Sequence, residues 1–205
     1  MLSPLFLCDA TAAVCLVLPR FLAAPRLLML GLAAVCAWLP AARLAGWSAI
    51  LQQPPVAVRR TVTAATSGTA LLLAGCLLLN WLTALTLPLF GYHAAPDPRV
   101  TQLAGSQPAA AMLLQAASLI AAAPLYEEAL YRLTLPRLLA GKLGFFSANI
   151  VSAFVFAASH YVHFFPAMLF FGLVQSLLLK RFGFITALTT HILYNTAVFA
   201  VSLCR

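Results

Sequence analysis

The chain has 205 residues, of which 63% are hydrophobic and only 8% are charged, and its formal net charge is +8. Soluble domains carry about a quarter charged residues, so this composition excludes an ordinary soluble domain and predicts a membrane protein. The basic surplus is then expected to flank membrane spans and does not indicate a nucleic-acid partner. A membrane span needs ~20 mostly apolar residues. The sequence contains about six to eight such stretches, so residues 1–205 are expected to form one membrane domain.

The apolar stretches predict an all-α, polytopic membrane bundle of about seven transmembrane helices. In chain order the expected helices cover residues 4–19, 26–41, 64–90, 108–134, 143–160, 163–180 and 184–203. The mixed stretch 42–60 is expected to lie along the interface, and the polar stretch 91–107 is expected to be an exposed loop. No role is assigned to the helices within residues 1–107.

Basic residues are concentrated in alternate connections between the expected helices. These connections are 42–63, 135–142 and 180–183, with Arg43, Arg59, Arg60, Arg137, Lys142, Lys180 and Arg181. By the positive-inside rule, these three segments are expected on the cytoplasmic side of a multi-pass protein of the cell membrane. Arg20 and Arg26 then fall on the opposite side, which leaves the orientation of the first helix open.

Glu127 and Glu128 stand side by side at the end of an apolar run, in a chain with only four acidic residues. A carboxylate at membrane depth costs roughly a few kcal/mol or more, so an acidic pair there indicates a functional site. Gly141 and Gly144 predict a tight turn after this helix. Glu127 and His160 lie equally far along the chain from that turn, so we expect them at the same depth on neighbouring antiparallel helices.

The two adjacent glutamates are predicted to have different roles. Glu128 and Arg132 stand at i, i+4, the spacing that brings side chains together on one helix face, which predicts an ion pair. Glu127 is rotated away from that face and is expected to address His160 as a general base for water. The alternative is a purely structural ion-pair cluster.

A second i, i+4 pair, His191 and Asn195, lies in the last apolar segment. An imidazole and an amide on one helix face predict donors for a developing oxyanion. Phe156 precedes His160 by one helical turn and is expected to wall the site. For each histidine taken alone, a structural hydrogen bond between helices is the competing interpretation.

These residues form three spaced motifs that resemble the CPBP intramembrane proteases, which include the CAAX prenyl endopeptidases and bacteriocin-processing enzymes and are also called the Abi family. The motifs are 127-EEALYR-132, 156-FAASH-160 and 191-HILYN-195. The resemblance covers residues 108–203 as a catalytic core, in a compact chain similar to prokaryotic members. Leu133 stands where many relatives have glycine, so helix packing at that position is expected to differ.

The resemblance implies an intramembrane endopeptidase that hydrolyses a peptide bond of a membrane-associated protein or peptide, with a role such as maturation of a peptide or C-terminal tail. In this chain Glu127 and His160 would activate water, and His191 and Asn195 would stabilise the oxyanion. The supporting residues would be Glu128, Arg132 and Phe156. The implied partners are the lipid bilayer and a peptide or membrane-protein substrate.

The resemblance allows two mechanisms, because relatives have been described both as metal-free glutamate proteases and as metalloproteases. We expect no cofactor, since the chain has no HExxH motif and Asn195 would be a poor zinc ligand. If zinc is bound, its expected ligands are Glu127, His160 and His191.

Two other classes of function compete with proteolysis. One is a non-catalytic membrane protein that binds a peptide or bacteriocin and confers immunity or regulation. The other is a small transporter, which would also place acids and histidines at mid-membrane. The complete set Glu127, His160, His191 and Asn195 favours the protease over both.

Overall fold

The computed structural model describes residues 58–92 and 109–204. All regular structure within these two ranges is helical, as the composition predicts. The predicted helices 4–19 and 26–41 lie outside the described residues. Four helical stretches of the described part are long and apolar enough to cross a membrane, which makes the chain a multi-pass membrane protein.

The described residues form six α-helices and four short segments of other helical types. The α-helices are α1 (Val58–Thr86), α2 (Ala109–Ala117), α3 (Ala123–Glu128), α4 (Leu135–Ala158), α5 (Phe165–Phe182) and α6 (Phe184–Leu203). The 3-10 turns Leu87–Phe90 and Val162–Phe164 follow α1 and precede α5. The π turns Ser118–Ala122 and Ala129–Thr134 join α2, α3 and α4 into one stretch.

Each π turn lies directly before an α-helix that has proline in its first turn, Pro124 in α3 and Pro136 in α4. A proline inside a helix has no N–H, and its ring clashes with the carbonyl one turn back. A widened turn ahead of the proline relieves that clash, so the helix continues. The predicted end at residue 134 and the predicted loop 135–142 were therefore wrong.

The turn between the two arms of this long stretch is at Gly144. Its backbone has φ 73° and ψ 161°, in a region that favours glycine, and the helix reverses there. Tyr131 and Phe156 lie at nearly the same distance along the chain on either side of the bend, and their rings are 5.3 Å apart. The antiparallel register predicted from the turn is thus confirmed. Glu127 and His160 each lie one helical turn further from the bend than these rings.

Small residues let the helices approach closely around the site. A Cβ atom at Gly172 of α5 would lie 3.0 Å from the Cβ of Ala153 in α4. A Cβ atom at Gly68 of α1 would lie 3.0 Å from Leu178 and 3.2 Å from Thr190. Close contact of this kind is the usual basis of helix association in membranes, where burial of apolar surface gives little driving force.

Basic residues gather at one end of the described bundle. The Arg60 guanidinium lies 5.6 Å from the centre of the Phe182 ring, and Lys180 Nζ lies 5.7 Å from the centre of the Phe145 ring. The start of α1, the bend of the hairpin and the end of α5 therefore share this end. The turn Val162–Phe164 lies at the opposite end of α5. The grouping agrees with the predicted placement of these basic segments on one membrane side.

Candidate active site

Glu127 and Glu128 are the last two residues of α3, and the second π turn begins immediately after them. Both side chains are buried, with residue exposures of 7% and 0%. Both reach the same histidine on α6. His191 Nδ1 lies 2.8 Å from Glu128 Oε1, and His191 Nε2 lies 3.7 Å from Glu127 Oε2.

The contact with Glu128 determines the orientation of the His191 ring. A carboxylate oxygen accepts, so Nδ1 carries the hydrogen that it donates to Glu128. The opposite edge of the ring, at Nε2, is then directed towards Glu127. Sequence analysis paired Glu127 with His160 and Glu128 with Arg132, and it did not anticipate that His191 contacts both carboxylates. The spacing of a motif along one helix carries no information about a partner on another helix.

Glu128 is also held by Arg132, as the i, i+4 spacing predicts. Arg132 Nε lies 3.7 Å from Glu128 Oε2, and both side chains are fully buried. The guanidinium carbon lies 4.8 Å from the centre of the Phe156 ring, within the range of a cation–π contact. A buried cation is costly without such partners. The carboxylate of Glu128 is therefore balanced by a positive charge within the protein.

His160 lies two residues after the end of α4. Its Nδ1 lies 2.8 Å from the carbonyl oxygen of Phe156. Because a carbonyl oxygen only accepts, Nδ1 carries a hydrogen, and the neutral ring has its lone pair on Nε2. This tautomer suits a ring that receives a proton at Nε2.

Two aromatic rings connect His160 to His191. The Phe156 ring lies 4.7 Å from the His160 ring and 5.8 Å from the Phe171 ring. The Phe171 ring in turn lies 4.7 Å from the His191 ring. Both imidazoles thus border one aromatic pair contributed by α4 and α5. Phe156 contacts His160, and Phe171, which no motif indicated, contacts His191.

Asn195 lies one turn beyond His191 on α6, and its amide reaches the first arm of the hairpin. Nδ2 donates to the carbonyl oxygen of Leu119 at 2.8 Å. Leu119 lies in the first π turn, Ser118–Ala122. A primary amide has two N–H donors, and this bond uses one of them. Asn195 therefore fixes α6 against the arm that carries the acidic pair.

Tyr126 is a site residue that sequence analysis missed. Its hydroxyl donates to Glu127 Oε1 at 3.1 Å, and the residue is 5% exposed. Side chains of adjacent helical residues do not normally face each other, so no spacing rule indicates this contact. Tyr126 and His191 approach the two oxygens of the Glu127 carboxylate.

The zinc alternative required Glu127, His160 and His191 to converge on one ion. Within residues 58–92 and 109–204, no group of three or more His, Cys, Asp or Glu side chains has the arrangement to hold a metal ion. The two Nδ1 atoms are directed at Phe156 and Glu128. The described side chains therefore form no three-ligand group around Glu127, His160 and His191.

A comparison with known protein families finds a match to this part of the chain. Residues 109–197 match the model of the Rce1-like family, described as type II CAAX prenyl endopeptidase. The match confirms the resemblance to the CPBP and CAAX proteases, and it spans every predicted site residue, from Glu127 to Asn195. No curated protein and no solved structure matched the chain.

Proposed function

We propose that this chain, whose residues 109–197 are of the CAAX prenyl endopeptidase type, is an intramembrane endopeptidase that hydrolyses a peptide bond of a membrane-associated protein or peptide. The observation that carries the proposal is the pair of buried carboxylates on α3 joined by His191 of α6. Buried acids, imidazoles and an amide are groups that can supply a general base and oxyanion donors for hydrolysis.

The two carboxylates have different partners, and this difference supports different roles for them. Glu128 lies between Arg132 and His191, so its charge is compensated within the protein. Glu127 contacts the Tyr126 hydroxyl and the Nε2 edge of His191. Glu127 is therefore the carboxylate assigned to the reaction, and Glu128 orients His191.

In the proposed reaction, Glu127 and His160 activate a water molecule. A proton leaves the water for Glu127 or for Nε2 of His160, and the water oxygen bonds to the carbonyl carbon of the substrate. The carbonyl oxygen becomes an oxyanion. The carbon–nitrogen bond then breaks, and the stored proton passes to the leaving amine, which gives one carboxyl and one amino terminus.

Donors from α6 would stabilise the oxyanion. His191 and Asn195 are one turn apart on the same face, and such donors have large effects where water is excluded. Glu128 anchors His191 through Nδ1, so His191 would donate to the oxyanion from Nε2 when that nitrogen also carries a hydrogen. Leu119 anchors Asn195 through one N–H, which leaves its second N–H as a donor. We favour a metal-free glutamate mechanism, because Glu127 and His160 supply the base without a Lewis acid.

The proposed location is the cell membrane, with the end that carries Arg60, Lys142 and Lys180 facing the cytoplasm. Peptide termini in membranes of the native host, compared by mass spectrometry, test the function. A defined set of cleaved termini should be present with the wild-type chain and absent with Glu127→Ala. Unchanged termini, with the variant present at wild-type level, would instead favour the peptide-binding or immunity role.

A further inference from the structure

A cavity lies at the end of the bundle opposite the basic residues. It has a volume of about 360 Å³ and is lined by the end of α1, the 3-10 turn after it and the turn before α5. Its lining includes Asn80, Ala84, Tyr92, His163 and Phe164. None of them belongs to the three motifs, and none takes part in the proposed mechanism.

Two polar atoms on this lining are buried without a hydrogen-bond partner. They are Asn80 Oδ1 and His163 Nδ1, and no described group within residues 58–92 or 109–204 satisfies either atom. A buried polar atom that lacks a partner is unfavourable, so native proteins rarely retain one without a reason. Both atoms belong to side chains that line the same cavity, on two different elements. The cavity is thus suited to a ligand with its own polar groups.

The cavity is close to the candidate active site along the chain. His163 is three residues after His160, which limits the distance between their Cα atoms to about 11 Å. His163 is also held in place, since its ring stacks on Tyr161 at 5.7 Å and lies 4.1 Å from the Phe164 ring. A substrate peptide whose scissile bond is held near His160 can therefore reach the cavity within a few of its residues.

The chemistry of the two atoms matches one peptide unit. An amide oxygen such as Asn80 Oδ1 only accepts, so it requires an N–H group. An imidazole Nδ1 that carries hydrogen requires an oxygen acceptor such as a carbonyl. One backbone peptide group supplies both partners, and the surrounding Phe164 and Tyr92 rings offer apolar surface for a side chain.

We propose that this cavity binds the substrate backbone near the scissile bond, with Asn80 accepting a backbone N–H and His163 donating to a backbone carbonyl. The inference rests on the proposed protease function and extends it to the substrate class. The bound segment is an extended peptide that leaves the site at the membrane side opposite the basic end. Asn80 and His163 are substrate-positioning residues in this role.

The test uses a synthetic peptide that spans a cleavage site identified by the comparison of termini. The full chain is reconstituted in phosphatidylcholine vesicles, with Glu127→Gln as the background that prevents turnover, and the dissociation constant is measured by fluorescence anisotropy. Asn80→Leu and His163→Phe are each expected to weaken binding about five- to tenfold. Asn149→Leu is the matched control, because Asn149 does not line the cavity and its side-chain amide donates to the carbonyl oxygen of Phe145 in its own helix.

Ala84→Phe provides a variant that fills the cavity and leaves both polar side chains in place. Because Ala84 is exposed, its replacement by the larger phenylalanine should not prevent folding. Ala84→Phe therefore tests the proposal even if Asn80→Leu fails to fold. In the active background, all three cavity variants should raise KM and leave kcat within twofold of wild type. Wild-type cleavage with unchanged binding and KM in these variants would overturn the cavity proposal alone. Failure of the wild-type chain to cleave the peptide would overturn the protease function and this inference together.

Discussion

His191 Nδ1 lies 2.8 Å from Glu128 Oε1, although 63 positions separate the two residues in the chain. This bond joins α6 to the end of α3 and fixes which edge of the imidazole faces Glu127. Arg132 binds the other oxygen of Glu128, so the orienting carboxylate is held from both sides. The two adjacent glutamates thus have different partners, and the proposed mechanism gives them different roles.

The ion pair of Glu128 with Arg132 predicts that removal of one partner destabilises the fold more than removal of both. Glu128→Leu leaves Arg132 buried without its carboxylate and should lower the free energy of unfolding by about 3–5 kcal/mol. The double variant Glu128→Leu with Arg132→Met removes both charges and should recover much of that loss while remaining inactive. Thermal unfolding in detergent micelles and peptide cleavage measure the two effects. A double variant as unstable as the single one would contradict this account of the pair.

Tyr126 is expected to position Glu127 for reaction. Tyr126→Phe removes the hydrogen bond to Glu127 Oε1 and keeps the aromatic ring, so kcat should fall about tenfold or more with little change in KM. The melting temperature should change by only a few degrees, since one hydrogen bond is lost. A variant with wild-type kcat would show that this hydroxyl has no part in holding the carboxylate.

Asn195 is expected to act on the transition state and on helix position. Asn195→Ala should lower kcat by roughly 10²–10³-fold, as expected for loss of an oxyanion donor. Asn195→Asp keeps the shape but cannot donate to Leu119 or to an oxyanion, so it should be equally impaired. Cleavage rates of the identified peptide in vesicles give both values. Activity in Asn195→Asp near the wild-type level would rule out the donor role.

Removal of metal distinguishes the two mechanisms that the family resemblance allows. The purified chain should keep its full cleavage rate after dialysis against 1,10-phenanthroline, because Glu127 and His160 supply the base. Elemental analysis should find less than one zinc per ten chains in the active preparation, on the order expected for adventitious metal. Loss of activity that zinc restores would contradict the glutamate mechanism.

The helical class and the hairpin register were predictable because both follow from local signals. Apolar length predicts a span, and Gly144 marks a bend that sets the levels of Tyr131 and Phe156. The i, i+4 rule also predicts the contact of Glu128 with Arg132, since one helix supplies both groups.

The remaining features depend on how separate elements meet. The contact of His191 with both glutamates requires the placement of α6 against α3, which no spacing within a motif determines. The helix was predicted to end at residue 134, two residues before Pro136. A π turn before Pro136 allows the helix to continue instead, and propensity rules give no signal for it. Tyr126 was missed because its partner is its immediate neighbour in the chain.

The most direct test of the central claim is the cleavage rate of the purified, reconstituted chain with Glu127→Gln. This substitution keeps the size and hydrogen-bonding shape of the side chain and removes its ability to accept a proton from water. Rates are compared with those of the wild-type chain and of Asn149→Leu, using the peptide identified in host membranes. We predict that Glu127→Gln folds and binds the peptide but shows no detectable cleavage. Cleavage by Glu127→Gln at a rate close to wild type would contradict the assignment of Glu127 as the base.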